Sequence, residues 1–226
     1  MLSIIIPCLN EAEGIERTLA TLEPVRCRGA EVIVVDGGSD DGTTGRAAPL
    51  ADVVIAAPLG RASQMNAGAG RARGEILLFL HADTLLPEAA DGLVIDGLKR
   101  ARRSWGRFDV RIDGRHPLLR AVERLMNARS RLTGIATGDQ AIFVTRTLFT
   151  AAGGFPDIPL MEDIELSKRL KRFGSPLCLN HCIVTSGRRW EKRGVLRTIW
   201  LMWGLRLAYW LGADPGKLAL RYDGNR

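Results

Sequence analysis

A chain of 226 residues with 46% hydrophobic and 25% charged residues has the composition of an ordinary soluble globular protein and enough length for one domain, or one domain plus an extension, around a substantial core. Its formal net charge of +7 is concentrated, with eleven Lys or Arg and three acids between residues 99 and 131, which favours an anionic partner (nucleotide, phospholipid headgroups or nucleic acid) or a solvated basic face without choosing among them. Four cysteines (Cys8, Cys27, Cys178, Cys182) form no C-x-x-C pair, which argues against a zinc site and makes reduced thiols in a cytoplasmic protein the expectation.

The first residues carry neither a basic leader nor an h-region long enough for a signal peptide, so Ser3, Ile4, Ile5, Ile6 and Pro7 read as a buried strand. Cys8, Leu9, Asn10 and Glu11 follow, then a helix over residues 12–22 with Ile15, Leu19 and Leu22 inward. Asn10 suits its N-cap or a ligand contact. Glu31, Val32, Ile33, Val34, Val35 and Asp36 form a second strand ending in a carboxylate. Gly37, Gly38, Ser39, Asp40, Asp41, Gly42 and Thr43 then supply a strand-to-helix turn. An Asp at that turn can accept the imide N–H of uracil or the N1–H of guanine.

A third strand covers residues 52–57. Gly60, Arg61, Gln64, Asn66 and Gly68 open a small-residue helix in which a backbone can approach closely and Arg61 can meet a diphosphate. No Walker pattern is present, which argues against a P-loop. The apolar run Ile76, Leu77, Leu78, Phe79 and Leu80 stops at His81, Ala82 and Asp83, a strand buried on both faces with polar residues at its carboxyl end, where open α/β sheets put their ligands. Asp83 can hold a divalent cation against a phosphorylated ligand. Strands alternating with helices, each ending in Asn/Glu, Asp or His/Asp, predict parallel βαβ units, an α/β fold with its polar tips on one edge.

A helix is expected over residues 87–103, then a strand carrying Trp105, Phe108, Val110 and Ile112. Residues 117–132 are amphipathic, with Leu118, Val122, Leu125 and Leu132 predicted inward beside Leu119 and Met126. Arg120, Arg124, Arg129 and Arg131 mostly face out, as surface or as an acceptor or membrane contact. A strand with a polar entrance is expected over residues 138–145. Gly153, Gly154 and Phe155 form a loop. Glu162 and Asp163 then open a helix with Leu166, Leu170 and Phe173 inward, where acids favour the dipole without any function. A last strand runs over residues 178–185, with His181 as a structural residue.

Together Pro7-x-x-Asn10-Glu11, Val35-Asp36-Gly37-Gly38-Ser39-Asp40-Asp41-Gly42-Thr43, Gln64-Met65-Asn66-Ala67-Gly68 and His81-Ala82-Asp83 resemble the ordered motifs of family 2 glycosyltransferases. With the later motifs the similarity covers about residues 3–190. His81-Ala82-Asp83, Gly138-Asp139-Gln140 and Arg188-Arg189-Trp190 most resemble the compact bacterial subgroup associated with arsenosugar biosynthesis.

The resemblance implies the GT-A fold, a Rossmann-like, mostly parallel sheet flanked by helices, over residues 1–190, with an apolar helical extension over residues 191–226. It implies a UDP- or GDP-sugar donor met by Pro7, Asn10, Glu11, Asp36, Ser39, Arg61, Asn66, His81, Ala82 and Asp83. Asp83 is then the metal-binding member of the D-x-D element, holding Mn2+ or Mg2+. His81 departs from that element, and imidazole suits manganese better than magnesium. Asp163 becomes the catalytic base supported by Glu162, and Gly138, Asp139, Gln140, Arg189 and Trp190 meet the acceptor. A single base in line with the leaving group implies inversion and one sugar added to a small or lipid-linked acceptor. Ser186 stands where processive relatives carry Gln, which argues against a polymerising synthase.

Two other readings compete. A sugar-nucleotide nucleotidyltransferase calls for a basic glycine-rich N-terminal loop, and only Gly14 is present there. A non-catalytic nucleic-acid-binding protein accounts for the charge but not for acidic groups at successive strand ends. Residues 195–212 are the most apolar stretch, and four of five tryptophans lie between Trp190 and Trp210. A span needs roughly 20 apolar residues and this segment carries Arg197 and Arg206, so it is not expected to cross a bilayer, and because the two lie on opposite sides of the helix it is not a one-sided amphipath. It suits packing on the domain, a homodimer contact or peripheral attachment to a membrane's inner face.

Overall fold

The computed structural model describes residues 1–223, apart from the side chains of Arg189, Lys192, Arg193 and Asp223. Its first half comprises β1 (Leu2–Cys8), α1 (Ile15–Ala20), α2 (Glu23–Cys27), β2 (Glu31–Asp36), α3 (Thr43–Ala47), β3 (Val53–Ala56), α4 (Arg61–Arg71), β4 (Ile76–Phe79), β5 (Thr84–Leu85) and α5 (Ala90–Ala101). The second half comprises β6 (Trp105–Ile112), α6 (Pro117–Thr133), a 3₁₀ turn at Gly138–Gln140, β7 (Phe143–Thr145), α7 (Arg146–Ala151), α8 (Glu162–Lys171), β8 (Leu177–Thr185), α9 (Arg188–Arg193), α10 (Val195–Trp210) and α11 (Pro215–Asp223).

Eight strands form one mixed sheet in the order β3-β2-β1-β4-β7-β6-β8-β5. The four strands from β3 to β4 are parallel, as predicted, and Cys8 lies opposite Asp36 while Ile5 lies opposite Phe79. The loops after β1, β2 and β4 therefore leave the same edge. β7 is antiparallel to both β4 and β6, whereas β6 and β8 run parallel with a register shift between Phe108 and Asp109.

Alternation of side chains across the pleat divides the core into two layers. Ile4, Ile6, Val32, Val34, Leu78 and Leu80 point toward α1 and α5, where Ile15, Leu19, Val94 and Leu98 cover them. Ile5, Ile33, Val35, Leu77 and Phe79 point the other way, toward Met65 and Ala69 of α4 and Leu166 and Leu170 of α8. Burial on both faces explains why these strands read as continuous apolar runs. On the second side Phe79, Phe149 and Phe155 form a ring cluster with centroids 4.8 to 5.8 Å apart. All four cysteines are free thiols.

Several boundaries differ from expectation. The helix expected over residues 12–22 is shorter, Ile15–Ala20, and a separate helix, α2, follows from Glu23 with Pro24 in its first turn, where a missing N–H costs nothing. The N-cap of α1 is Gly14, so Asn10 does not cap it. The strand expected from residue 138 begins at Phe143. Phe173 lies beyond the end of α8 and is exposed, since the helical period that predicted its burial has stopped.

In α6 the inward face is not the leucine face. Leu119 is buried, but Leu118, Leu125 and Leu132 are exposed. β7 is only three residues long, so one edge of β6 has no strand beyond Gly106. Polar side chains of α6 satisfy that edge: Glu123 accepts the Ile112 N–H, and Asn127 bonds both the N–H and the carbonyl of Val110 at 3.0 Å. The Arg107 guanidinium lies beneath them, fully buried, paired with Asp109 and donating to the Asn127 carbonyl at 3.1 Å.

Two contacts generate tests. A Cβ on Gly68 would lie 2.4 Å from Ile5 Cγ2 and 2.9 Å from Val35 Cγ2, so the close approach that small residues permit in α4 is to the sheet. Gly68→Val is expected to lower unfolding free energy by at least about 1–3 kcal/mol in denaturant titration. Glu31 is buried and accepts the Ser3 hydroxyl at 2.6 Å and the Arg73 N–H and Nε at 2.8 Å. Burial alone would raise its pKa, but these donors hold it below the usual carboxylate value. Its contribution is therefore present above the ordinary value and lost as pH falls through the lower folded one. Glu31→Gln should cost about 1.5–3 kcal/mol at neutral pH and flatten the stability curve in that acid window.

Candidate active site

The loops after β1 and β2 are bonded to each other. The Asn10 N–H donates to Ser39 Oγ at 2.9 Å, and Asn10 Oδ1 accepts the Asp40 N–H at 3.1 Å, with Asn10 in the left-handed region at φ 53°. The Glu11 N–H donates to Thr43 Oγ1 at 2.9 Å. Pro7 is buried within β1. Asp36 is 5% exposed; its Oδ2 accepts the N–H groups of Gly38 and Ser39 at 2.9 Å, and its Oδ1 accepts the Ser39 hydroxyl. Gly38 turns at φ 98°, which a side chain would strain. Burial pushes the Asp36 pKa up, and these donors outweigh it and hold the carboxyl below its usual range. Cys8 Sγ lies 3.7 Å from Asp36 Oδ1, and burial, then the Asp36 charge, pushes its thiol up to about 12.

At the end of β4, Ala82 is buried and its carbonyl accepts the Thr18 hydroxyl at 2.6 Å. His81 Nδ1 lies 3.4 Å from Asp139 Oδ1. Burial would lower the imidazole pKa, but the Asp139 hydrogen bond and charge carry it above the ordinary value. Asp83 Oδ2 lies 3.8 Å from Arg188 Nη2, which also meets Glu11 Oε2 at 2.9 Å.

From the other side, the first turn of α8 presents Glu162 and Asp163. The Gly138 N–H donates to Asp163 Oδ2 at 2.8 Å, and the Ile164 N–H to Asp163 Oδ1 at 2.7 Å. Glu162 is 4% exposed, with Oε1 3.2 Å from Arg61 Nε. Burial raises its pKa, Arg61 opposes the rise, and the neighbouring Asp163 charge adds to it. Gly138 touches both halves, because a Cβ there would lie 2.5 Å from His81 Nε2.

Arg61, His81, Asp83, Gly138, Asp139, Glu162, Asp163 and Trp190 line one cavity of about 170 Å³, whose remaining wall includes Met126, Thr198, Met202, Leu205, Arg206 and Tyr222. A more open groove of about 630 Å³, lined by Glu75, Lys99, Arg102 and Arg146, lies where β4 begins and gathers none of the expected residues. Two expected ligand contacts have structural duties. Asn66 exchanges hydrogen bonds with the backbone of Phe155 at 2.8 and 3.0 Å. Gln140 is fully buried, its amide committed to Thr137, Ser130 and Asn127, and it holds the turn that carries Gly138 and Asp139. The Arg189 side chain lies outside the described residues.

The wall from α10 and α11 was not foreseen. Its signal in the sequence is Arg206, a charge inside the most apolar stretch. Arg206 has no ion pair among the described residues, and Arg129 nearby keeps Nε and Nη2 buried without hydrogen-bond partners there. Burial, then the Arg206 charge, lowers the Arg129 pKa to about 10.

No group of three His, Cys, Asp or Glu able to cage a metal occurs among the described residues. Asp83 is a third exposed in the cavity, and among the described residues its carboxylate has Arg188 at 3.8 Å and accepts no hydrogen bond. One available carboxylate fits a hard cation held jointly with phosphate oxygens rather than by the protein alone.

The model of the family described as "Glycosyl transferase family 2" matches residues 3–149. Poly-beta-1,6-N-acetyl-D-glucosamine synthase of Staphylococcus aureus (strain COL) is 24% identical over 216 residues, covering 85% of this chain and 52% of the relative. The chain thus spans about half the length of that relative. Among solved structures, S. aureus TarS 1-349 in complex with UDP aligns with a TM-score of 0.66 and 17% identity over 82% of this chain and 60% of that one. Mannosyltransferase PcManGT from Pyrobaculum calidifontis, in complex with GDP-Man and Mn2+, aligns with a TM-score of 0.63 and 25% identity over 92% and 60%. These comparisons favour neither the nucleotidyltransferase nor the nucleic-acid-binding reading. With its motifs at the carboxyl edge of a GT-A sheet, the chain belongs to glycosyl transferase family 2.

Proposed function

We propose that this chain transfers one sugar from a UDP- or GDP-sugar to a hydroxyl of a small or lipid-linked acceptor, with inversion. The observation that carries this reading is the single cavity bordered by Arg61, His81, Asp83 and Asp163, residues far apart in the chain. The complexes of TarS with UDP and of PcManGT with GDP-Man support both donor nucleotides. The narrower kinship, with the compact bacterial subgroup associated with arsenosugar biosynthesis, rests on His81-Ala82-Asp83, Gly138-Asp139-Gln140 and Arg188-Arg189-Trp190.

In this reading the crossed loops around Asn10, Glu11, Asp36 and Ser39 receive the nucleoside. Asp36 has most of its lone pairs engaged by the loop, so it orients the loop's N–H groups as well as offering an acceptor to the base. Arg61, oriented by Glu162, faces the diphosphate. A divalent cation held by Asp83 would supply charge neutralisation for the departing diphosphate. Asp163 takes the acceptor's proton as its oxygen attacks the anomeric carbon; the Gly138 N–H fixes the carboxylate and leaves further lone pairs toward the cavity. Beyond Asp163 the positive charge of Arg206 and Arg129, among apolar side chains, favours an acceptor that carries an anionic group.

Asp163→Asn is expected to lower transfer by about 10²- to 10⁴-fold in a product-formation assay while calorimetry finds donor affinity unchanged. Full transfer by that variant would remove Asp163 as the base. Thermal stabilisation by UDP or GDP should require Mn2+ or Mg2+ and should vanish in Asp83→Asn, whereas equal stabilisation without metal would exclude Asp83 from that role.

A further inference from the structure

Two neighbouring helices leave a contiguous apolar surface uncovered. On α10, Leu196, Trp200, Trp203, Leu207 and Trp210 recur at alternating steps of four and three, which is one face of a helix. All five are exposed, Trp200 at 75% and Trp210 at 79%. The opposite side of the same helix, with Leu201, Met202 and Leu205, packs on Leu160, Met161 and Ile164. The helix is therefore apolar on two sides, and only one of them is used by the fold.

On α6, Leu118, Ala121, Leu125, Ala128 and Leu132 form a second exposed stripe, ending in Leu132 at 87% exposure. The helices meet where Leu119, Val122 and Met126 pack against Val195 and Ile199. Leu118 and Leu125 stand one turn either side of Val122, and Leu196 and Trp203 one turn either side of Ile199. The two stripes consequently adjoin along the seam between the helices.

Charge selects the occupant. Arg124 of α6, Arg197 of α10 and Lys217 of α11 are exposed on these helices, and Arg131 of α6 is exposed but paired with Asp109, while the one acid of α6, Glu123, is buried and α10 contains none. A second copy seated on the same face by a two-fold axis would set this basic rim against itself with no acid from either helix to offset it. An anionic lipid surface matches the rim, and exposed tryptophans beside leucines suit the boundary between headgroups and acyl chains. No described helix is long and apolar enough to cross a membrane, so the helices would lie in the plane of the surface. Met126 of α6 and Thr198, Met202 and Arg206 of α10 also line the active-site cavity, which places its wall beside this face.

We propose that the outer face of α6 and α10 docks the protein on an anionic membrane surface, with Trp200, Trp203 and Trp210 in the headgroup boundary. The test uses the full chain and vesicles of phosphatidylglycerol and phosphatidylcholine in equal parts, with phosphatidylcholine vesicles alone as comparison; it needs no donor sugar, so its result is independent of the proposed reaction. The chain should co-sediment with the anionic vesicles, less with the neutral ones, and release as salt is added. Trp200→Ser should weaken partition by about tenfold with an unchanged unfolding temperature, because the side chain lies outside the core. Arg124→Glu should weaken binding to the anionic vesicles only. Partition that is absent, or equal in wild type and both variants, would overturn the proposal. So would a two-copy assembly in sedimentation velocity that Trp200→Ser dissociates, which would assign the face to a second copy.

Discussion

The site depends on β1 pairing in parallel with β2 on one side and β4 on the other. Every residue of β1 is buried, so its neighbours on both sides of the sheet specify its register. A slip of one position would exchange Ile4 and Ile6 with Ile5 between two differently shaped core layers. It would also displace the loops after β1, β2 and β4 relative to one another. Hydrogen bonds from the Asn10, Glu11 and Ala12 N–H groups to Ser39, Thr43 and Asp41 then convert aligned strand ends into a fixed surface.

The second half of the chain meets this edge through the β7 ladder, ion pairs from Glu162, Asp139 and Arg188, and the turn at Gly138. β7 runs antiparallel beside β4, and the turn before it brings Gly138 against both His81 and Asp163. Gly138 serves both contacts because it has no side chain, its N–H holding the carboxylate while its Cα allows the imidazole to approach. The strand end that carries His81 and the helix start that carries Asp163 thus share one backbone position, and Gln140 supports that turn from beneath. The C-terminal helices close the far side with apolar groups and one guanidinium.

Strands buried on both faces were legible because a single property, apolarity at consecutive positions, encodes them. The acidic residues at their ends were legible for the same reason, as each interrupts such a run. α6 was misread, since its leucines have helical spacing but the side that docks on β6 mixes Leu119 with the polar Glu123 and Asn127. Only the shortness of β7, a fact remote in sequence, creates the open strand edge that Glu123 and Asn127 satisfy. Polar residues within motifs are ambiguous in the same way: Asn66 and Gln140 are chemically able to meet ligands, and packing commits Asn66 to the Phe155 backbone and Gln140 to the Thr137 N–H and the side chains of Ser130 and Asn127. The opposition of Arg197 and Arg206 was readable from helical geometry. That one side would wall a cavity was not, because it requires the position of α8.

Cys8 sits beneath the loop that Asp36 organises, and its thiol stays protonated far above physiological pH. Thiolate, the form that reacts with oxidants and electrophiles, is thus almost unpopulated there, while Cys27 and Cys182 stand exposed. The loop after β2 consequently rests on a sulfur that acts as a weak neutral donor to a carboxylate, insulated from the redox chemistry that would otherwise reach it.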